Sequence, residues 1–443
     1  MKIPLQRGGK GFAFRKVFPG PEPLSSNNST KQCAWSIHGN FMQKIEHSAS
    51  RILSLDAIRG LAAMVVFFSH LRLSFYPSLI VDSKSYSLIR IPLAIALNGG
   101  AAVSLFFVLS GFVLTYRFFQ PGKLKEMPDV IVRRWPRLAG PVVVVSLISG
   151  LLMGSHLYRN QEVADLNGSQ WLKDFFAWKS EGLMEVFHAL QEGVYGTFFT
   201  HHCPYNMSFW TMHYELIGSI ASYVFTFLAV VFAQRIDWRL IMAGMFFLWA
   251  REVVRFPYIS CFFLGSILAL LHSKLRSFVW KEPVSLILTA MLCVLLGGFS
   301  ASENDFSITL YKSLGADNVN GRIAVSYGLH SIMAVILLSY GLWVPAVRER
   351  LSMPFMRRLG HLSFPIYLLH LPIICSLGAW TYLSLRSHGN VLASIMATSV
   401  SIIATLLTSL PLAWIDDRWL VLCRFITPFR LVTGILFGNS KAP

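Results

Sequence analysis

The feature that most constrains this chain is its succession of long apolar runs. Ten stretches, at about 55–71, 91–116, 138–154, 209–233, 238–250, 256–271, 284–299, 323–344, 361–383 and 391–413, carry almost no charge. A helix crosses the hydrocarbon core with about 20 apolar residues, since no water is available there to satisfy an open backbone. The pattern predicts an all-α, polytopic transmembrane helical bundle of about ten spans. Composition agrees: 54% of the residues are hydrophobic and 14% are charged, against about 25% charged in a soluble chain. A disordered chain is excluded, and an ordinary soluble enzyme is disfavoured. The 91–116 run exceeds one span and contains Asn98-Gly99-Gly100, so a break or a tilt is expected there. The 238–250 run is the shortest of the ten.

Charge sets the orientation. With the N-terminus inside, 27 Lys and Arg fall on the inner side of the bundle and 11 on the outer side. The expected topology is N-in and C-in. The net charge of +17 then reflects this bias and attraction to anionic lipid headgroups, with no nucleic-acid partner expected. Residues 1–50 read as a flexible cytosolic tail, 51–415 as the membrane domain and 416–443 as a short cytosolic or interfacial tail, with 422–437 as an interfacial helix. The first span serves as the targeting signal. The 155–208 loop faces outward or into a lumen. It holds sequons at Asn167 and Asn206 and the aromatic residues Trp171, Phe175, Phe176, Trp178, Phe198 and Phe199. It reads either as a lid over an acceptor entrance or as a helix on the membrane surface. Six cysteines give no disulfide framework, and the absence of CxxC and HExxH motifs leaves no metal site expected.

Ionisable groups inside apolar helices are the default functional candidates. Arg59 and His70 lie eleven residues apart in the first span, which puts them on one helix face about 16.5 Å apart along the axis. Gly60 and Ala63 leave room on that side for a close neighbour. Asp56 is within pairing reach of Arg59. Arg59 either extends to the inner headgroups or serves a site. His70 lies either at the outer interface or in a polar cavity, where a neutral imidazole can take a proton from a hydroxyl. Ser110-Gly111 in the second span permits close packing. Arg133, Arg134 and Arg137, read as a cytosolic loop, either anchor the inner face or hold phosphate. Glu215, early in the fourth span, is either paired with an arginine or an orienting group of the site. Ser363, Tyr367 and His370 line one face of the ninth span, as helix–helix glue or as a cavity wall.

These motifs together resemble the acyltransferase 3 family of integral membrane O-acyltransferases, over roughly residues 50–415. The first-helix pattern is Asp56-Ala-Ile-Arg59-Gly60 with His70. Phe106-Phe-Val-Leu-Ser110-Gly111-Phe112, the Arg133–Arg137 run, Trp210-Thr-Met-His-Tyr-Glu215 and Gly360-His-Leu-Ser363-Phe-Pro-Ile-Tyr367-Leu-Leu-His370 follow in the family's order. Phe364 stands where the family has a tyrosine. The form is most similar to the fungal branch, whose members acetylate hydroxyls of secondary metabolites such as terpenoids and polyketides. The resemblance implies acetyl-CoA or another acyl-CoA as donor from the cytosolic side, a small hydroxylated metabolite as acceptor, and His70 as general base. It implies donor contacts from Arg59, Arg133, Arg134, Arg137 and Ser110, with Arg59 and Glu215 also assigned to catalysis and Asp56, Ser363, Tyr367 and His370 around them. Direct transfer and an acyl-histidine intermediate stay open. In a eukaryote an internal membrane such as the endoplasmic reticulum is expected. A polysaccharide acceptor and a secondary transporter or flippase are the alternatives. The transporter is disfavoured by the lack of a convincing internal repeat.

Overall fold

In the computed structural model the chain is described at residues 52–79, 96–175, 182, 184–298, 312–313 and 318–425. The 1–50 tail, residues 91–95 of the second run, Phe176 and Trp178, and 426–437 of the expected interfacial helix lie outside these residues. All regular structure among the described residues is helical. The principal helices are α1 (Leu53–Phe75), α2 (Gly99–Thr115), α3 (Met127–Gly154), α4 (Met184–Gln191), α5 (Trp210–Phe232), α6 (Trp238–Glu252), α7 (Pro257–Lys274), α8 (Pro283–Gly298), α9 (Val319–Trp343), α10 (Pro354–Ile373) and α11 (Asn390–Cys423). The axis of α4 continues through the wide turns of Glu192–Thr200, and α10 continues to His388.

Among the described residues seven helical segments are long and apolar enough to cross a membrane, so the protein is a polytopic membrane helical bundle. The runs at 238–250, 256–271 and 284–299 form α6, α7 and α8, of 15, 18 and 16 residues. These fall short of the usual length of about 20. The Asn98-Gly-Gly step is a helix start: the Asn98 side chain caps α2 by accepting from Ala101 N at 3.1 Å. The last helix runs on to Cys423, past the expected end of the span.

Two differences from the sequence reading bear on the site. The basic run is not a loop. Helix α3 begins at Met127 and passes through Pro136 and Pro141, so Arg133, Arg134 and Arg137 are helical. Trp419, on α11, donates its indole N–H to the Pro136 carbonyl at 2.7 Å and ties the interrupted stretch to a neighbour. The 155–208 segment is also more structured than a loop. Helix α4 runs antiparallel along α3, with Ala189 and Glu185 against Gly150 and Trp135 donating to the Val194 carbonyl at 3.2 Å. Its outward stripe is Met184, Phe187, Leu190, Val194 and Tyr195. The chain then returns to α10, where Asn206 donates to the Leu368 carbonyl at 2.7 Å. Asn206 is fully buried, which leaves no space for a glycan at that sequon.

Two seams hold the bundle together. At the first, α1 crosses α10 with backbones in contact. A Cβ on Gly60 would lie 2.7 Å from the Leu359 carbonyl carbon, and Gly360 faces the Asp56 backbone just as closely. Ten residues further along each helix, His70 meets His370. The two helices therefore run in the same direction. At the second, Gly111 meets the Phe262 carbonyl and Gly265 meets that of Val108, again with no room for a side chain. Ser104 reaches Cys261 at one end of this seam, and Phe112 and Tyr116 reach His272 at the other, at ring-centre distances of 5.8 and 5.3 Å. Helices α2 and α7 are parallel too. Small residues at such crossings let dispersion contacts and weak C–H···O bonds form along the backbones, the main attraction available between helices in lipid.

Candidate active site

The α1–α10 seam brings its two histidines to hydrogen-bond distance. His70 Nδ1 and His370 Nε2 are 2.8 Å apart. The rings lie nearly parallel, with centres 5.0 Å apart. His370 is fully buried, and its Nδ1 lies 3.2 Å from the Ile366 carbonyl oxygen, one turn back on α10. His70 is half-buried, and Trp171 of the 155–208 segment packs on its ring at 4.7 Å between ring centres. Phe175 packs in turn on Trp171 at 4.4 Å. Part of the aromatic outer segment is therefore a cover over His70. The rest does other work: Phe198 is buried, and Phe199 packs on Trp135.

Of the other residues expected on the α10 stripe, neither hydrogen-bonds to this pair. Ser363 donates to the Gly360 carbonyl of its own helix at 2.7 Å. Tyr367 donates to the Ser208 carbonyl at 2.9 Å and shares a hydrogen bond of 2.8 Å with Thr211. It clasps the turn that leads into α5. His370 alone of the three reaches His70.

Ser110, Arg134 and Glu215, expected in separate roles, form one node. The Arg134 guanidinium is buried and ion-paired with the Glu215 carboxylate. Its Nε donates to Ser219 Oγ at 2.8 Å, and Ser110 Oγ donates to the same Glu215 oxygen at 2.7 Å. A buried carboxylate persists in an apolar bundle only when paired in this way. The node joins α2, α3 and α5 and takes up the charge of Arg134. His213, two residues from Glu215, turns away to the Phe198 carbonyl at 2.9 Å.

The N-terminal part of α1 belongs to a different constellation. Arg59 pairs with Asp56 at 3.4 Å and keeps 30% of its side chain exposed. Arg137, one turn beyond Arg134 on α3, has Arg59, Arg134, Asp416 and Tyr223 as its electrostatic neighbours. Its side chain is exposed. Arg133 instead pairs with Asp129 on the same helix at 3.4 Å. Arg59 is thus one of the charges around Arg137, whereas Arg133 and Arg134 have other partners.

The residues that sequence reasoning missed are Trp171 as the ring covering His70, and Asp416 and Tyr223 beside Arg137. Trp171 was visible only as one of six loop aromatics. Asp416 was assigned to the tail. His201 and His202 hold no metal cluster; among the described residues no group of three or more metal-ligating side chains is found. His202 pairs with Glu192 at 3.0 Å.

Comparison with known proteins agrees with the motif order. The chain is 23% identical over 371 residues to the O-acetyltransferase PaAT-1 of Phomopsis amygdali, covering 76% of this chain and 74% of the relative. No solved structure matches. Residues 52–414 match a family described as an acyltransferase domain, so the chain belongs to the acyltransferase 3 family of membrane proteins.

Proposed function

We propose that the protein moves an acetyl or other short acyl group from acyl-CoA to a hydroxyl of a small secondary metabolite, with His70 as general base. The observation that carries this reading is the half-buried His70, whose Nε2 has no partner among the described residues. In the reaction, the acceptor hydroxyl gives its proton to His70 Nε2 as its oxygen bonds to the thioester carbonyl carbon. The carbon–sulfur bond then breaks. The proton passes from Nε2 to the departing sulfur, which leaves an ester and free CoA thiol. Arg59 and Arg137 supply the positive charge that the donor's phosphates require, about 16.5 Å from His70 along the axis of α1. A donor with an extended arm spans that distance. The fungal O-acetyltransferase relative supports an acetyl donor.

The same reading takes the bundle as ten crossings, N-in and C-in. Helices that cross in turn alternate in direction. The parallel run of α2 and α7 then requires α6 to cross despite its 15 residues. The parallel run of α1 and α10 further requires α8 to cross. An internal membrane such as the endoplasmic reticulum suits a small amphipathic acceptor.

The test is CoA release and product formation from acetyl-CoA by the purified protein, beside His70→Ala, with extracted metabolites as acceptors. Release matched to an acetylated product, and loss of both in the variant, is expected. Equal product from both proteins would remove His70 as the base. Acceptor movement across a vesicle membrane without acylation would replace the enzyme by a transporter.

A further inference from the structure

We infer that His370 is a positioning residue that fixes the tautomer of His70, so that Nε2 is the nitrogen available to the acceptor. This rests on the acyl-transfer reading above and assigns the chemistry of one neighbour. The argument runs from the buried end outward. His370 Nδ1 faces the Ile366 carbonyl oxygen at 3.2 Å, and a carbonyl only accepts. Nδ1 of His370 therefore carries the hydrogen. A neutral imidazole has one N–H, so Nε2 of His370 holds a lone pair. That lone pair lies 2.8 Å from His70 Nδ1, which must donate to it. His70 then carries its own hydrogen on Nδ1 and a lone pair on Nε2.

A histidine that acts as base commonly has a carboxylate in this place. Here no carboxylate lies among the hydrogen-bond or ring partners described for the pair, which are Ile366, Trp171, Phe67 and Tyr367. A neutral acceptor orients the ring without placing a second full charge in the apolar interior, where an isolated carboxylate is costly. When Nε2 takes the hydroxyl proton, the His70 Nδ1–H bond to His370 strengthens, because its donor becomes charged. His370 exchanges no proton with the substrate and touches no reacting atom.

Replacement by residues of different reach tests the role. Glutamine places its amide oxygen near the position of histidine Nε2 and can still accept from His70. Leucine fills the space and cannot accept. Kinetics with acetyl-CoA and an acetylatable acceptor, together with equilibrium binding of acetyl-CoA, are measured for wild type, His370→Gln and His370→Leu. The expected result is a kcat about 10- to 100-fold lower in His370→Leu with KM for acetyl-CoA unchanged, and a kcat within a few-fold of wild type in His370→Gln. Should the leucine variant not accumulate, His370→Asn replaces it, since asparagine keeps a group beside Ile366 and lacks the reach to His70. Equal losses in the glutamine variant and the short or apolar one would overturn the inference, as would a leucine variant as active as wild type. His70→Ala, inactive under the acyl-transfer reading, separates the two claims: its full activity would remove the base, whatever His370 does.

Discussion

The two glycine seams of the bundle use the same packing device for different ends. Along α2 and α7, Gly111 and Gly265 bring backbones into contact, and what they draw together is a set of rings and small groups: Phe107 on Phe262 at 5.1 Å, and Ser104 by Cys261. Along α1 and α10, Gly60 and Gly360 do the same, but the helices then carry two imidazoles to within 2.8 Å. A parallel crossing between small residues is a general solution to association in lipid. It becomes a site when polar groups lie on the shared face at a matched distance from the crossing. The ion pair of Arg134 and Glu215 belongs with the α2–α7 seam: it anchors α2 to α3 and α5. Arg137 belongs with the α1–α10 seam, since Arg59 of α1 is one of its electrostatic neighbours.

Four substitutions sharpen or break this division. The largest effect is expected for Glu215→Ala, which leaves the Arg134 guanidinium buried and unpaired at a cost of about 3–5 kcal/mol. The yield of folded protein in detergent should collapse, and part of it should return in the Glu215→Ala/Arg134→Leu double variant. Undiminished yield in the single variant would show that the pair is not structural. Next is Gly60→Ala. A Cβ there must push Leu359 and Gly360 away, and a displacement of about 1 Å at a reacting group costs about 100-fold in rate. The expected loss is in kcat, measured per folded molecule. A Gly60→Ala protein with wild-type kcat would detach the seam from the chemistry.

Gly265→Ala is the matched control on the other seam. Overpacking there should cost about 1–3 kcal/mol, read as a lower melting temperature in detergent, while kcat per folded molecule stays within about twofold. If both alanine variants lose kcat alike, the two seams do not differ in kind. The smallest effect is expected for Arg137→Ala. Loss of one charge-assisted contact to a donor phosphate should raise KM for acetyl-CoA about tenfold with kcat little changed. A reversed pattern, with kcat lost and KM held, would move Arg137 from the donor to the reacting centre.

How much of this was legible in the chain follows from the range of each interaction. Spans are a local property, and the apolar runs located the helices but not all their ends: α3 begins eleven residues before the expected start, α10 begins seven before, and α11 ends ten beyond. One case is instructive: the basic run carries Pro136, yet α3 passes through it, and Trp419, far away in sequence, bonds its carbonyl. Helix α4 was hidden for a related reason. Its apolar stripe is interrupted by Glu192 and Gly193 and is too short for a span, and its place is set by contact with α3. In the site, the order of motifs pointed to His70, Arg59 and Glu215, since these residue types are costly in an apolar helix. The partner of each was not legible. Arg134 lies one residue from Arg133 and three from Arg137, and only the packing of α3 on α5 decides which of them meets Glu215. Likewise the spacing of Ser363, Tyr367 and His370 by four and three defines a face, but the hydroxyls at the first two positions bond to backbone carbonyls.

The equal separation of glycine and histidine on α1 and α10 constrains how such proteins can change. Deleting or inserting one residue between Gly60 and His70 would slide the imidazole by about 1.5 Å and swing it by about 100° around the helix, away from its partner. The same change between Gly360 and His370 would do so from the other side. The two ten-residue intervals, 300 positions apart in the chain, are therefore each fixed in length. A one-residue change of length in either interval loses the imidazole pair while the bundle still assembles, and a matching change in the other does not restore it, because each ring swings about its own axis.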